Sequence, residues 1–299
     1  MTGLFDGFRI DRIAVSHALA DDVGLHVRIG GSGPPLLLLH GYPQTGAMWH
    51  RIAPALAERF TVICPDLRGY GASDKPASDG THIAYSKRAT AADMAALMTE
   101  LGFDRFQVAG HDRGGRVTHR LCLDHADRVI RASVLDIIPT RTFFREAFHA
   151  ASHAYYHWYF LAQPEPLPET LIGADPVFYF RAKAGGLSKT GTDFFHPDAQ
   201  AEYEAAFSRP DVIHATCEDY RAAASIDLTH DEADQDRKVE CPLLVLWGRN
   251  APMEKHFDVL STWRDRAVAP EGFAIDSGHF LAEENPDATL AAFLDFFET

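Results

Sequence analysis

Three observations predict an α/β fold with a mainly parallel central sheet and an inserted helical cap. Short apolar runs bounded by turn residues recur through the first half of the chain, and the later ones alternate with stretches whose apolar residues fall three and four apart. The alternation stops at Pro139 and resumes only at Pro242. Between one apolar run and one helical stretch lies Gly110-His111-Asp112-Arg113-Gly114, a small-residue turn around a single carboxylate.

The predicted strands of the first half cover residues 10–15, 24–29, 36–39, 60–64, 106–109 and 132–135. The four consecutive leucines at 36–39 leave no polar face, as expected of a strand covered by helices on both sides. Periodicity places helices at 52–57, 91–101 and 115–125 between the later strands, and strands that alternate with helices in this way pair in parallel. Beyond Pro139 the chain is rich in aromatics and histidine, with helical spacing but no comparable strand run. It reads as a cap over 139–240, inserted between core segments 1–138 and 241–299. Residues 243–248, Leu-Leu-Val-Leu-Trp-Gly, restart the sheet, followed by a helix over 257–264, a last strand at 272–275 and a closing helix at 288–297.

At 299 residues one large core with an insertion fits better than two independent domains. The net charge of −14 disfavours nucleic acid and anionic membranes as partners, because both need clustered cations. An anionic substrate would therefore have to be held by local positive charge against the field of the whole protein. Cys64, Cys122, Cys217 and Cys241 are widely spaced and form no Cys-x-x-Cys pair, so no disulfide framework or zinc site is expected. The N-terminus has no apolar run of signal-peptide length, and the longest aliphatic stretch, 36–39, is too short to span a bilayer. A soluble cytoplasmic protein is expected.

Gly110-x-Asp112-x-Gly114 reads as a nucleophile elbow, in which a sharp strand-to-helix turn pushes the central side chain into a cleft. An aspartate there attacks saturated carbon and leaves an ester on the enzyme, where a serine would attack an acyl carbon. Such elbows are followed in the chain by an acid and then a histidine. Sixteen histidines are present, so position singles out His279, on the turn Ser277-Gly278-His279-Phe280 after the last predicted strand. For the acid, the loop after Trp247 contains no aspartate, whereas Asp136 ends the strand at 132–135, where open α/β sheets place ligand-binding groups. Asp136 is the expected partner of His279; Glu254 is held in reserve, and a turn-capping role at Pro139 is the alternative for Asp136. Backbone N–H groups of Tyr42, in His40-Gly41-Tyr42-Pro43, and of Arg113 are candidate oxyanion donors. His149, His153 and His157 fall four apart, but no nearby carboxylate completes a metal triad, and no metal is expected.

The set His111-Asp112-Arg113-Gly114-x-Arg116, Leu135-Asp136, Tyr156-His157-Trp158, Cys217-Glu218-Asp219-Tyr220-Arg221 and Ser277-Gly278-His279-Phe280 resembles the fluoroacetate (haloacetate) dehalogenases of the α/β-hydrolase superfamily. The resemblance runs over nearly the whole chain. It implies that Arg113 and Arg116 bind a substrate carboxylate, that His157, Trp158 and Tyr220 bind the leaving halide, that no cofactor is used, and that the enzyme is a homodimer. The implied reaction converts a small 2-haloacid, haloacetate above all, and water to glycolate and halide. Leu187 stands where some members carry tryptophan, and Gly185-Gly186 would loosen a cap helix, leaving pocket size open. The rival reading is an epoxide hydrolase using the same Asp/His/Asp groups, with Tyr155, Tyr156, Tyr159 or Tyr220 as proton donors. A non-catalytic binding protein on the same fold is the third.

Overall fold

One sheet holds the strands β1 (Arg9–His17), β2 (Ala20–Gly30), β3 (Pro35–Leu39), β4 (Thr61–Pro65), β5 (Phe106–His111), β6 (Val129–Leu135), β7 (Leu243–Gly248) and β8 (Pro270–Ile275). The computed structural model describes residues 3–147, 150–188 and 190–298. Spatial order is β1-β2-β4-β3-β5-β6-β7-β8, antiparallel across β1, β2 and β4 and parallel from β4 through β8. Burial explains the difference in strand character. Leu36, Leu37, Leu38 and Leu39 in the interior are fully buried, whereas the edge strand β1 exposes most of its length and buries Val15. Every strand predicted from periodicity is present, with ends displaced by a few residues where pairing outlasts the apolar run.

Local chemistry sets the helix boundaries. Lys87–Glu100 begins four residues before the predicted start because the Ser86 side chain accepts from Ala89 N. The helix expected over 257–264 is instead two, Pro252–His256 and Val259–Arg264. Phe257 is extended and Asp258 caps a new helix by accepting from Ser261 N, which breaks the run.

Between β6 and β7 every described element is helical, from Thr140–Glu146 to Ile226–Ala233. Pro176, Pro197 and Pro210 each open a helix at a position where the missing N–H costs nothing. Gly185 and Gly186 end Pro176–Gly185 and do not interrupt it. Among the described residues no helix is long and apolar enough to cross a membrane.

This helical segment is tied to the sheet by buried polar contacts. His279 N donates to Leu187 O at 3.1 Å, and Tyr203 OH donates to Glu283 Oε1 at 3.0 Å. Glu283 also accepts from Gln44 Nε2 at 2.5 Å, and burial pushes its carboxyl up to about 8. A carboxyl raised from 4.5 favours the folded state while protonated, so its contribution is complete at low pH and is lost as pH rises through about 8. Thermal melts between pH 5 and pH 9 are expected to show Tm falling less with pH in Glu283→Gln than in the parent. Equal slopes would exclude this titration.

Candidate active site

The elbow is built by close backbone packing. Asp112 has φ 47° and ψ −113° and links β5 directly to the helix Arg113–Asp124. A Cβ on Gly110 would lie 2.3 Å from Gly114 O, and one on Gly114 would lie 2.4 Å from Leu39 O, so only glycine lets the turn approach the sheet. Aspartate is among the few non-glycine residues that enter positive φ readily, and strain held in this way accompanies functional turns. The Asp112 side chain is nearly buried, and its Oδ1 accepts from Tyr42 N at 2.9 Å. Burial raises this carboxyl, but the charges around it, among them the guanidiniums of Arg113 and Arg116, outweigh burial and hold it below the usual range. The side chain is an anion at neutral pH.

Asp136 follows β6, also at positive φ (50°), and is fully buried. Its Oδ1 accepts from Gly248 N at 3.0 Å, and its Oδ2 lies 2.5 Å from His279 Nδ1. The pair fixes the imidazole and leaves Nε2 as the ring nitrogen not engaged by Asp136. Glu254 lies elsewhere, accepting from Trp247 Nε1 at an exposed position, so the reserve assignment is discarded. His111 donates from Nε2 to His279 O at 2.8 Å, and burial pushes it down to about 3, a neutral prop behind the histidine.

The two arginines differ in a way the sequence does not reveal. Arg113 donates to Asp219 Oδ2 from Nε at 2.7 Å and from Nη2 to Asp219 Oδ1 at 3.1 Å. Asp219 also pairs with Lys87 and accepts from Tyr70 OH at 2.8 Å. Only Nη1 of Arg113 is buried without a partner. Among the described residues no carboxylate pairs with Arg116: Nη1 donates to Ile138 O at 2.9 Å and Thr140 Oγ1 at 3.1 Å, and Nε has no partner. Burial, reinforced by Arg113, lowers it to about 10. Arg116 is therefore a buried cation without a salt-bridge partner of its own, near the Asp112 carboxylate.

Aromatic side chains from the helical segment close over these cations. The Arg116 guanidinium is 4.3 Å from the Trp158 ring centroid, and that of Arg113 is 4.2 Å from Tyr220. Trp158 and Tyr220 meet edge to face at 5.6 Å, as do His157 and Tyr220. Among the described residues His157 Nδ1, Tyr220 Oη and Tyr155 Oη are buried with no hydrogen-bond partner. Burial lowers His157 well below its ordinary value, so it is neutral. The three predicted halide residues are thus brought together above Arg113 and Arg116. His149 lies outside the described residues, and His153 and His157 fall on two separate helices, Ala150–Ala154 and His157–Leu161, not on one face.

Four residues have no assigned role in the sequence reading: Asp219, Lys87 and Tyr70, which share the network of Arg113, and Lys183, a buried lysine of the helix Pro176–Gly185 in the field of Asp112. Asp219 stood inside the quoted motif beside Tyr220, and that adjacency was the available signal. Replacing it leaves Arg113 and Lys87 buried without their shared counter-charge. Asp219→Asn is expected to lower unfolding free energy by about 3–5 kcal/mol in urea denaturation. A change within about 0.5 kcal/mol would mean that the network is not structural.

A model of the alpha/beta hydrolase fold matches residues 34–286. A fluoroacetate dehalogenase from Burkholderia sp is 44% identical over 98% of this chain and 95% of its own. A soluble epoxide hydrolase from Corynebacterium sp. (strain C12) is 34% identical over 94% of this chain and 96% of its own. Among solved structures, a Nostoc sp PCC 7120 protein assigned provisionally to the alpha/beta hydrolases is 51% identical with a TM-score of 0.94, covering 97% of this chain and 98% of that one. Sheet order, elbow and these matches agree, and the chain belongs to the alpha/beta hydrolase family.

Proposed function

We propose that the protein is a hydrolytic dehalogenase of small 2-haloacids, converting haloacetate to glycolate and halide. Arg116 carries the reading: a guanidinium that is buried beside an anionic nucleophile and has no carboxylate of its own gains most from a substrate that brings one. In this mechanism Asp112 Oδ displaces halide from carbon, and Arg116 with Nη1 of Arg113 holds the substrate carboxylate. His157, Trp158 and Tyr220 surround the departing halide, and the unpartnered Nδ1 and Oη atoms are donors suited to an anion that has lost its water. His279, held by Asp136, then takes a proton from water as it attacks the ester carbonyl. The N–H of Tyr42, 2.9 Å from Asp112 Oδ1, and that of Arg113 would stabilise the resulting oxyanion. Residues 139–240 act as the cap and 1–138 with 241–299 as the core, and the family resemblance supports a homodimer.

A specific observation keeps the epoxide reading as the second one. Asp219 neutralises Arg113 without any substrate, so of the two arginines only Arg116 argues for an anion, and Tyr155 and Tyr220 are unpartnered phenols in the field of Asp112. Incubation with fluoroacetate, chloroacetate and styrene oxide separates the two. Halide and glycolate release is expected; diol formation without halide release would transfer the assignment to epoxide hydrolysis.

A further inference from the structure

We propose that Lys183 is a leaving-group residue of the cap, whose ammonium stabilises the halide as it departs and so sets how steeply the rate depends on the halogen. The inference rests on the dehalogenation reading above and names a residue that reading does not use. Lys183 projects from the helix Pro176–Gly185 and is only 4% exposed. Among the described residues it makes no hydrogen bond or ion pair. Its Nζ lies 5.4 Å from the centroid of the Tyr156 ring, and Tyr156 is the chain neighbour of His157, their rings 6.1 Å apart. The ammonium therefore sits on the His157 side of the site, while Arg113 and Arg116 sit on the core side, on the helix that follows Asp112.

An isolated buried ammonium is costly unless a negative charge acts on it. The carboxylate whose field reaches Lys183 is that of Asp112; burial pushes the ammonium down to about 7 against that field. The reaction moves this charge. As Asp112 Oδ forms its bond to carbon, the carbon–halogen bond breaks with its electron pair on the halogen, and one unit of negative charge passes from Asp112 to the halide. The ester linkage at Asp112 is neutral, and the substrate carboxylate it carries stays with Arg116 and Nη1 of Arg113, so Lys183 keeps a counter-charge of its own only if the halide emerges beside it. No proton is transferred in this step: below about pH 7 Lys183 enters it as an ammonium, leaves it as one and offers an N–H. The proton released later, when water attacks the ester, goes to His279. Because a fixed charge interacts most strongly with the smallest and hardest anion, the benefit should be greatest for fluoride and least for bromide.

The halide-releasing step is best measured in a single turnover, because hydrolysis of the carboxymethyl ester is common to all three haloacetates and would mask it. With fluoro-, chloro- and bromoacetate, Lys183→Met is expected to slow that step about 10²-fold for fluoroacetate and less than about 10-fold for bromoacetate. Lys183→Arg should restore most of the fluoroacetate rate, and Lys183→Gln should repeat the graded loss on a second background. Both neutral variants remove a buried, unpaired charge, so Tm should hold or rise. A loss of equal factor for the three halides, or no loss, would overturn the proposal. Absence of halide release from the parent protein with any of the three would sink the dehalogenation reading and this inference with it.

Discussion

Asp112→Asn is expected to lower halide release from haloacetates by about 10⁴-fold or more while leaving the fold intact. The chemistry is direct: a neutral amide is a poor nucleophile toward saturated carbon, and no ester can form. The fold should survive because asparagine tolerates the positive φ of 47° as well as aspartate does, and its carbonyl oxygen still accepts from Tyr42 N. Binding should move the other way. In the parent protein the substrate carboxylate enters a site that already holds an anion, so removing the Asp112 charge should tighten haloacetate binding, read by calorimetry. The combination of lost turnover and retained or stronger binding distinguishes a missing nucleophile from a damaged site. Persistent turnover in the asparagine variant would refute the assignment of Asp112.

What was legible in the sequence is what local rules govern. The leucines at 36–39 announced a strand buried on both faces, and the glycines at 110 and 114 announced a turn too tight for a side chain. The placement of Asp136 after β6 and of His279 after β8 followed from the direction of parallel strands, whose C-terminal ends share one edge of the sheet. What was not legible depends on partners far apart in the chain. Nothing in the elbow reveals that Arg113 is half spent on Asp219, 106 residues later, or that Lys87 shares the same carboxylate. Lys183 follows the same logic, since a lysine on a helix reads as a solvated residue until tertiary packing buries it. These long-range pairings decide the electrostatics. Two arginines read from sequence as two free cations become one paired and one unpaired, and a lysine without any assigned role supplies another.

His279→Asn should arrest the reaction halfway, and this is the second large effect expected. The displacement step requires Asp112, the cations and the leaving-group donors, none of which His279 provides, whereas hydrolysis of the ester requires a base for water. The variant should therefore release about one equivalent of halide per active site in a burst and then stop, with kcat reduced about 10³–10⁴-fold. Intact-mass measurement should show a single carboxymethyl group retained, and peptide mapping should locate it on Asp112. Asp136→Asn tests the same step more gently: His279 Nδ1 loses the carboxylate 2.5 Å away, so its tautomer and basicity suffer while the ring remains, and a smaller accumulation of ester is expected. The two variants thus divide one constellation into a group that forms the ester and groups that remove it. Full turnover in His279→Asn, or a variant that releases no halide at all, would break that division and with it the two-step mechanism.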